Sequence, residues 1–360
     1  MKIVNVFSSL DFGGVESRAC IINRYGENHS FVAISKGGMA ERNIAEYGGD
    51  VTILSCSSKI CSSSAIFKLY FFFLKAKPDV VHCRGAEANF HGLLAAWLAR
   101  VPVRIAEEIG IPSHGKTAKI IFGFVYTFAH RIVAISDSVK TWLVKSGEVK
   151  EQRVVRIYNP VDLDIVNNEP DIYPKSNKFK IGFVGRLEKV KNPLSLIEAV
   201  RILNDKGVPI ELYLVGDGSL KGACESLVSK LKLNSKVKII GYSPDPCSYV
   251  SRCDLYVQPS LSEGFGLALV EAMGCGVPVL ATAVGGAPEI ITHNVTGWLV
   301  EDSSPSSLAN AIYNIWINRE GLAEVGKKGF ESVKNRFEPQ KYISELDSLY
   351  FSILNSDGQL

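Results

Sequence analysis

The chain has 360 residues, 46% of them hydrophobic and 21% charged, and 40 basic against 37 acidic side chains leave a formal net charge of +3. That length suits two domains of ordinary size, and the composition excludes intrinsic disorder, collagen-like repeats and a small disulfide scaffold. The near balance of charge excludes a dedicated nucleic-acid binder, so no nucleic-acid partner is expected.

The opening MKIVNVF is a short apolar run that turns quickly to Ser8, Ser9 and Asp11. It is too short for a secretory leader and predicts a first strand in a cytoplasmic protein. Strands are predicted at 3–7, 29–34, 50–54, 79–82, 104–106, 131–135 and 154–157, with helices such as 14–25, 65–75 and 89–99 between them. Strands alternating with crossovers of this size imply βαβ units and a parallel sheet. At Asn159-Pro160 the texture changes to VDLDIVNNEPDIYPKSNK, a linker by composition. A second series follows, with strands at 181–184, 211–215, 237–240, 255–258, 279–282 and 297–300 and helices at 192–203, 221–231, 267–273 and 306–318. The stretch 325–354 is helical in pattern with a break at 337–339. The expected organisation is a first domain over 1–160, a linker over 161–179, a second domain over 180–335, and a C-terminal helix in 336–360 that packs back on the first domain. Two Rossmann-like domains of this kind place ligands at the carboxyl ends of their strands.

Eight cysteines are scattered without a CxxC pair, and the six histidines lack paired ligand spacing. Reduced thiols are expected, and no metal site. No GxSxG, HExxH or GxxxxGK[ST] motif occurs, which removes the usual support for hydrolase, zincin and P-loop readings. No stretch reaches the apolar length of a bilayer span. Two runs, AIFKLYFFFLKAK at 65–77 and TAKIIFGFVYTFAHRI at 117–132, combine aromatics with lysines, and no acidic residue lies between Val51 and Pro78. Each reads as a helix packed on a sheet with its lysines in water, or as a patch that meets anionic lipid, and one helix can do both.

Five turns at strand ends carry candidate chemistry. Gly13 and Gly14 follow the first strand and open a helix, where backbone amides can approach an anion, although a bare tight turn reads the same way. The spacing lacks the GxGxxG that a dinucleotide oxidoreductase needs. Gly185-Arg186-Leu187 ends a strand and Lys191 follows, giving a guanidinium fork and a compact cation that suit a diphosphate. Glu263-Gly264-Phe265-Gly266-Leu267 leads into a helix that carries Glu271. Here Glu263 can accept from sugar hydroxyls, the glycines let amides approach phosphate, and Glu271 can meet a diol such as a ribose. Val284-Gly285-Gly286 reads as another ligand-facing turn, and Gly216-Asp217-Gly218 as a similar turn or a simple tight loop.

The block EGFGLALVE, with AMGCGVPVLATAVGGAPEII and NVTGWLV, resembles retaining glycosyltransferase family 4, as do the early GGVE, Asn159-Pro160-Val161-Asp162, Gly185-Arg186-Leu187 with Lys191, and VGDG. The resemblance covers nearly the whole chain. It implies an α/β GT-B fold, two Rossmann-like domains with parallel sheets facing each other across a cleft. It implies transfer of a sugar from a nucleoside-diphosphate sugar, a UDP-sugar by preference, to a hydroxyl with retained configuration. The route implied is front-face through an oxocarbenium-like state, and needs neither cofactor nor metal. Arg186 and Lys191 would then hold the diphosphate, Glu263 the sugar, and Glu271 the ribose. Gly13, Gly14 and the amides around Gly264, Phe265, Gly266 and Leu267 would complete the cradle.

The chain departs from the family where histidines are frequent: Glu108 lies near one such place and Arg84 follows His82 at another. Glu108, His82, Arg84 and His114 are therefore candidates for sugar or acceptor contacts. The resemblance, together with the lysine-aromatic runs, points to a saccharide acceptor that is lipid-linked, in surface polysaccharide, O-antigen or capsule synthesis, and those runs to peripheral contact on an anionic membrane. A small soluble acceptor, or a non-catalytic nucleotide-sugar-binding subunit, are the alternative readings.

Overall fold

A computed structural model describes residues 1–11, 14–112, 114–163 and 178–357. Gly13 and most of the expected linker lie outside the described residues. Two wholly parallel sheets organise the chain. The first has the order β3-β2-β1-β4-β5-β6-β7, with β1 Ile3–Phe7, β2 His29–Ala33, β3 Asp50–Ile53, β4 Val80–Arg84, β5 Val103–Glu108, β6 Arg131–Ala134 and β7 Val154–Arg156. The second has the order β10-β9-β8-β11-β12-β13, with β8 Phe179–Val184, β9 Ile210–Val215, β10 Val237–Gly241, β11 Leu255–Gln258, β12 Val279–Thr282 and β13 Trp298–Val300. Helices fill the crossovers, so both faces of the inner strands are covered, which is why strands such as IVNVF are buried at every position.

The chain divides into two compact units, Met1–Val161 with Phe337–Leu360, and Asp162–Arg336. The helix Pro339–Asp357 belongs to the first: Tyr342, Ile343, Leu346, Tyr350 and Ile353 join Phe7, Phe31, Ile105 and Val133 in one core. In the second unit Phe183, Leu196, Val200, Leu212, Leu214 and Ile312 form the core between sheet and helices.

In each sheet the strand order reverses once, between β1 and β4 and between β8 and β11. Connections leave these adjacent strands in opposite directions, which opens a crevice at their carboxyl ends.

β4 and β5 run further than the sequence predicts, through Arg84 and Glu108. Charged residues continue a buried strand here because they neutralise one another. Glu107 is wholly buried between two guanidiniums: its Oε1 lies 2.6 Å from Arg18 and its Oε2 is bonded by Arg84. Arg84 also donates to the Tyr342 hydroxyl at 3.0 Å and to Asn5 Oδ1 at 3.1 Å. Arg18 donates to Asn159. Burial alone would raise the pKa of Glu107, but Arg18, Arg84 and His82 outweigh it and hold the carboxyl below the ordinary range. Burial and Arg84 push His82 down to about 3, so the ring is neutral. Protonated on Nε2, it faces Glu107 at 3.1 Å and leaves Nδ1, 2.6 Å from the Tyr350 hydroxyl, as the acceptor.

Glu108 behaves oppositely. Burial pushes its pKa up from 4.5 to about 7, against the opposing bonds from Tyr126 and Asn89.

Glu107→Ala leaves two cations buried without a counter-charge. The expected loss is about 3–5 kcal/mol, read from urea denaturation. For Glu108 the sign is reversed. Its folded pKa is raised, so its favourable share of stability is full below pH 4.5 and is lost as pH rises to about 7. Glu108→Gln should remove a fall on the order of 3 kcal/mol across that window, measured as unfolding free energy against pH.

Candidate active site

The switch crevice of the second sheet collects the second-unit candidates. β8 ends at Val184 and hands the chain to Gly185 and an exposed Arg186. The neighbouring β11 ends at Gln258 and leads to Glu263. A backbone bond from Leu261 N to Val190 O, 2.8 Å long, ties the two loops together. It brings Lys191 Nζ to 2.6 Å from Glu263 Oε2.

Two residues missed by sequence reasoning complete this arrangement. Gln258 Nε2 donates to the same Glu263 oxygen at 2.6 Å, and Ser260 Oγ lies 3.3 Å from it. The Tyr256 hydroxyl is 3.1 Å from Gln258 Oε1 and from the Val184 carbonyl, which orients the amide with its nitrogen toward Glu263. Three donors thus converge on Oε2, and Oε1 has no protein partner among the described residues. The signal available in the sequence was a single polar residue closing the apolar strand LYVQ.

Glu271 stands on the helix Leu267–Gly274, beside a recess shared with Val184, Pro246, Cys247, Val250 and Ala268. Burial raises its pKa, and no protein group bonds its carboxyl among the described residues. Gly266, at φ +110°, caps the start of the helix without a side-chain bond. The amides of Leu267 and Ala268 in the first turn have no intrahelical acceptor and face the positive end of the helix field. Gly264 and the buried Phe265 lead into this turn. An exposed guanidinium, a helix start and two carboxylates with open oxygens can hold a phosphorylated, hydroxyl-rich molecule.

The flanking glycine turns act as braces. Gly285 has φ +56°, and a Cβ there would stand 1.5 Å from the Glu263 carbonyl oxygen. The turn after β12 therefore lies directly against the Glu263 loop. Gly216, at φ +138°, sits the same way on Gly185, where a Cβ would come to 1.9 Å from its carbonyl. The Gly216-Asp217-Gly218 loop thus supports the Arg186 turn, with Gly185 N bonded to Val215 O and Leu187 N to Asp217 O.

The first-unit candidates belong to the first sheet and the segments around it. Gly14 opens the helix Gly14–Tyr25 after β1. His82 and Arg84, offered by the sequence to a sugar or acceptor, are buried and bonded within the Glu107 cluster. Glu108 is likewise buried on Tyr126 and Asn89. His114 stacks on Phe122 with centroids 4.5 Å apart and lies 3.2 Å from Glu148. His82 Nδ1, the two terminal nitrogens of Arg84, Glu108 Oε1 and His114 Nδ1 each meet a protein partner.

Residues 31–165 match the profile of Glycosyltransferase Family 4, and residues 166–332 that of Glycosyl transferases group 1. A capsular polysaccharide biosynthesis glycosyltransferase of Staphylococcus aureus, CapM, is 30% identical over 321 residues, 82% of each chain. The chain belongs to glycosyltransferase family 4. The UDP-Gal:alpha-D-GlcNAc-diphosphoundecaprenol alpha-1,3-galactosyltransferase of Escherichia coli is 26% identical, covering 82% of this chain and 81% of its own. The structure of Anabaena HepE in complex with UDP-glucose superposes with a TM-score of 0.85 at 22% identity, over 98% of this chain and all of the other. That likeness shows the GT-B fold, and the family makes this protein a glycosyltransferase.

Gly285→Ala should cost about 2 kcal/mol or more in unfolding free energy, because a Cβ and the Glu263 backbone compete for one place. Gly222→Ala, in the helix Lys221–Lys230 where a Cβ meets nothing within 4 Å, is the control and should hold stability or raise it by up to about 1 kcal/mol.

Proposed function

We propose that the protein is a retaining glycosyltransferase that moves a sugar from a UDP-sugar to a hydroxyl of a lipid-linked saccharide acceptor in surface polysaccharide synthesis. The observation that carries the reading is Lys191 bonded to Glu263 at the mouth of the β8–β11 crevice, beside Arg186 and Glu271. A cation for the leaving diphosphate and a carboxylate for the sugar hydroxyls stand together there. In this reading Arg186 and Lys191 bind the diphosphate and offset the charge that develops on it as the glycosidic bond breaks. The amides of Leu267 and its neighbours add to that field. Glu263 orients the sugar through Oε1, while Gln258 and Ser260 hold Oε2. Glu271 accepts from the ribose diol. The leaving phosphate oxygen takes the acceptor proton, so the cations do the electrostatic work and no metal is required. The unit built on the second sheet binds the donor, and the unit built on the first, with Gly14 at its opening turn, meets the acceptor.

The UDP donor is supported by the UDP-glucose bound in the HepE structure and by the UDP-Gal for which the E. coli enzyme is named. The lipid-linked acceptor is supported by the diphosphoundecaprenol of that same name, and polysaccharide synthesis by CapM. The reading places the enzyme at the cytoplasmic face of the plasma membrane.

A thermal-shift panel of nucleotide sugars should show one preferred donor raising the melting temperature by mass action. Slow hydrolysis of that donor, followed as nucleotide release, should fall about 100-fold or more in Arg186→Ala and in Glu263→Ala. Transfer to a diphospholipid-linked sugar, with the new linkage assigned by NMR, tests acceptor and configuration together. Turnover of a soluble acceptor alone overturns the lipid-linked part. Donor binding with neither hydrolysis nor transfer overturns the enzymatic part in favour of a binding subunit.

A further inference from the structure

Three helices of the first unit carry an apolar face that the donor site does not use. Ser63–Ala76, Ala86–Leu98 and Lys116–Val125 lie side by side, the first and third packed on the middle one. Ser63–Ala76 buries Ala65, Leu69 and Phe73 and turns Phe67, Phe71 and Leu74 outward, the two phenylalanines 59% and 64% exposed. Their spacing of four and three residues sets them in one line, opposite the buried stripe. On Lys116–Val125, Ile120 and Phe124 stand one turn apart, 74% and 62% exposed. The middle helix ends in the half-exposed Trp97 and Leu98. Phe128 bridges Phe124 and Trp97, its ring 5.2 Å from the first and 5.0 Å from the second, so aromatic surface runs from the third helix to the end of the middle one. Single exposed apolar residues are ordinary, but a face built from three neighbouring helices marks a contact surface.

The charge carried by the first and third of these helices has one sign, while Glu87 lies on the middle helix and Asp79 follows the first. Lys59, Lys68, Lys75, Lys77, Lys116 and Lys119 belong to these helices or their ends, and residues 51–78 and 109–136 contain no Asp or Glu. The acid of the middle helix, Glu87, sits in its first turn, away from Trp97, and accepts from Ser8. A second copy of the chain meeting the same face across a two-fold axis would set lysines against lysines. No helix among the described residues is long and apolar enough to cross a membrane. An anionic lipid surface satisfies both features, taking the aromatic rings at headgroup depth and the lysines against phosphate.

We propose that this face docks the protein on an anionic bilayer, through Phe67, Phe71, Leu74, Trp97, Ile120 and Phe124. The docking deepens the lipid-linked acceptor reading and takes its purpose from it, since the bilayer is where such an acceptor resides.

The test is co-sedimentation of the full chain with vesicles of phosphatidylglycerol in phosphatidylcholine, against phosphatidylcholine alone. Binding is expected to the mixed vesicles and to weaken with salt. Phe71→Glu with Phe124→Glu should reduce it at least tenfold, and Lys75→Gln with Lys116→Gln about fivefold per lysine. These side chains are exposed, so melting temperature and vesicle-free donor hydrolysis should stay as in the parent. No binding by the parent, equal binding by the variants, or a parent dimer that Phe71→Glu with Phe124→Glu separates would each overturn the proposal. Hydrolysis needs no vesicle, so the two readings fail separately. Vesicle binding without hydrolysis sinks the transferase reading alone, and hydrolysis without vesicle binding sinks the docking alone.

Discussion

A carboxylate removed from water is the constraint around which the first unit is built. Glu107 is tolerable at the end of β5 only because Arg18 and Arg84 reach it, and each arginine then needs further partners. Those partners come from β1 through Asn5, from the segment after β7 through Asn159, and from the last helix through Tyr342. His82 adds Tyr350 of the same helix. One buried charge therefore sets the mutual placement of three strands, the first helix and the last. The helix that starts at the early glycine turn is held by the same group, through Arg18.

The second unit solves a different problem by different means. Its site charges are exposed at Arg186 and part-buried at Lys191, Glu263 and Glu271, and what needs fixing is their position. Backbone does this work: glycine turns after β9 and β12 sit against the carbonyls of Gly185 and Glu263, closer than any side chain would permit. The Tyr256–Gln258–Glu263 chain of bonds then settles which oxygen of Glu263 is used internally and which stays open. The first unit gains rigidity from buried charge, the second from close backbone packing around charges that remain available.

This contrast explains what was legible in the sequence. The alternation of strands and helices, the change of texture near residue 160, and the turns bearing Arg186, Lys191, Glu263 and Glu271 all follow from local pattern, because glycines and charges at strand ends have local causes. Arg84, Glu107 and Glu108 were harder. A charged residue is ordinarily exposed, so β4 and β5 read as ending early, Arg84 and Glu108 as open to a ligand, and Glu107 as having no role. The groups that bury them are distant: Tyr342 bonds Arg84 from 258 residues away and Tyr350 bonds His82 from 268 away. No local window contains both partners. Gln258 was overlooked for a milder reason, since one amide at a strand end has no pattern of its own, and only its neighbours Tyr256 and Glu263 give it meaning.

The place of the last helix has a consequence for the order in which the protein is made. Pro339–Asp357 supplies Tyr342, Leu346 and Tyr350 to the core of the first unit, yet it leaves the ribosome after all of residues 162–336. Until it emerges, Arg84 and His82 lack their phenolic partners and the core shared with Ala19, Ile22, Ala40 and Ile44 is only partly covered. The unit formed by residues 162–336 is complete in synthesis before that happens. The domain that begins the chain is thus the one that must wait to finish folding, and its nascent form holds an unfinished hydrophobic face throughout the synthesis of the other.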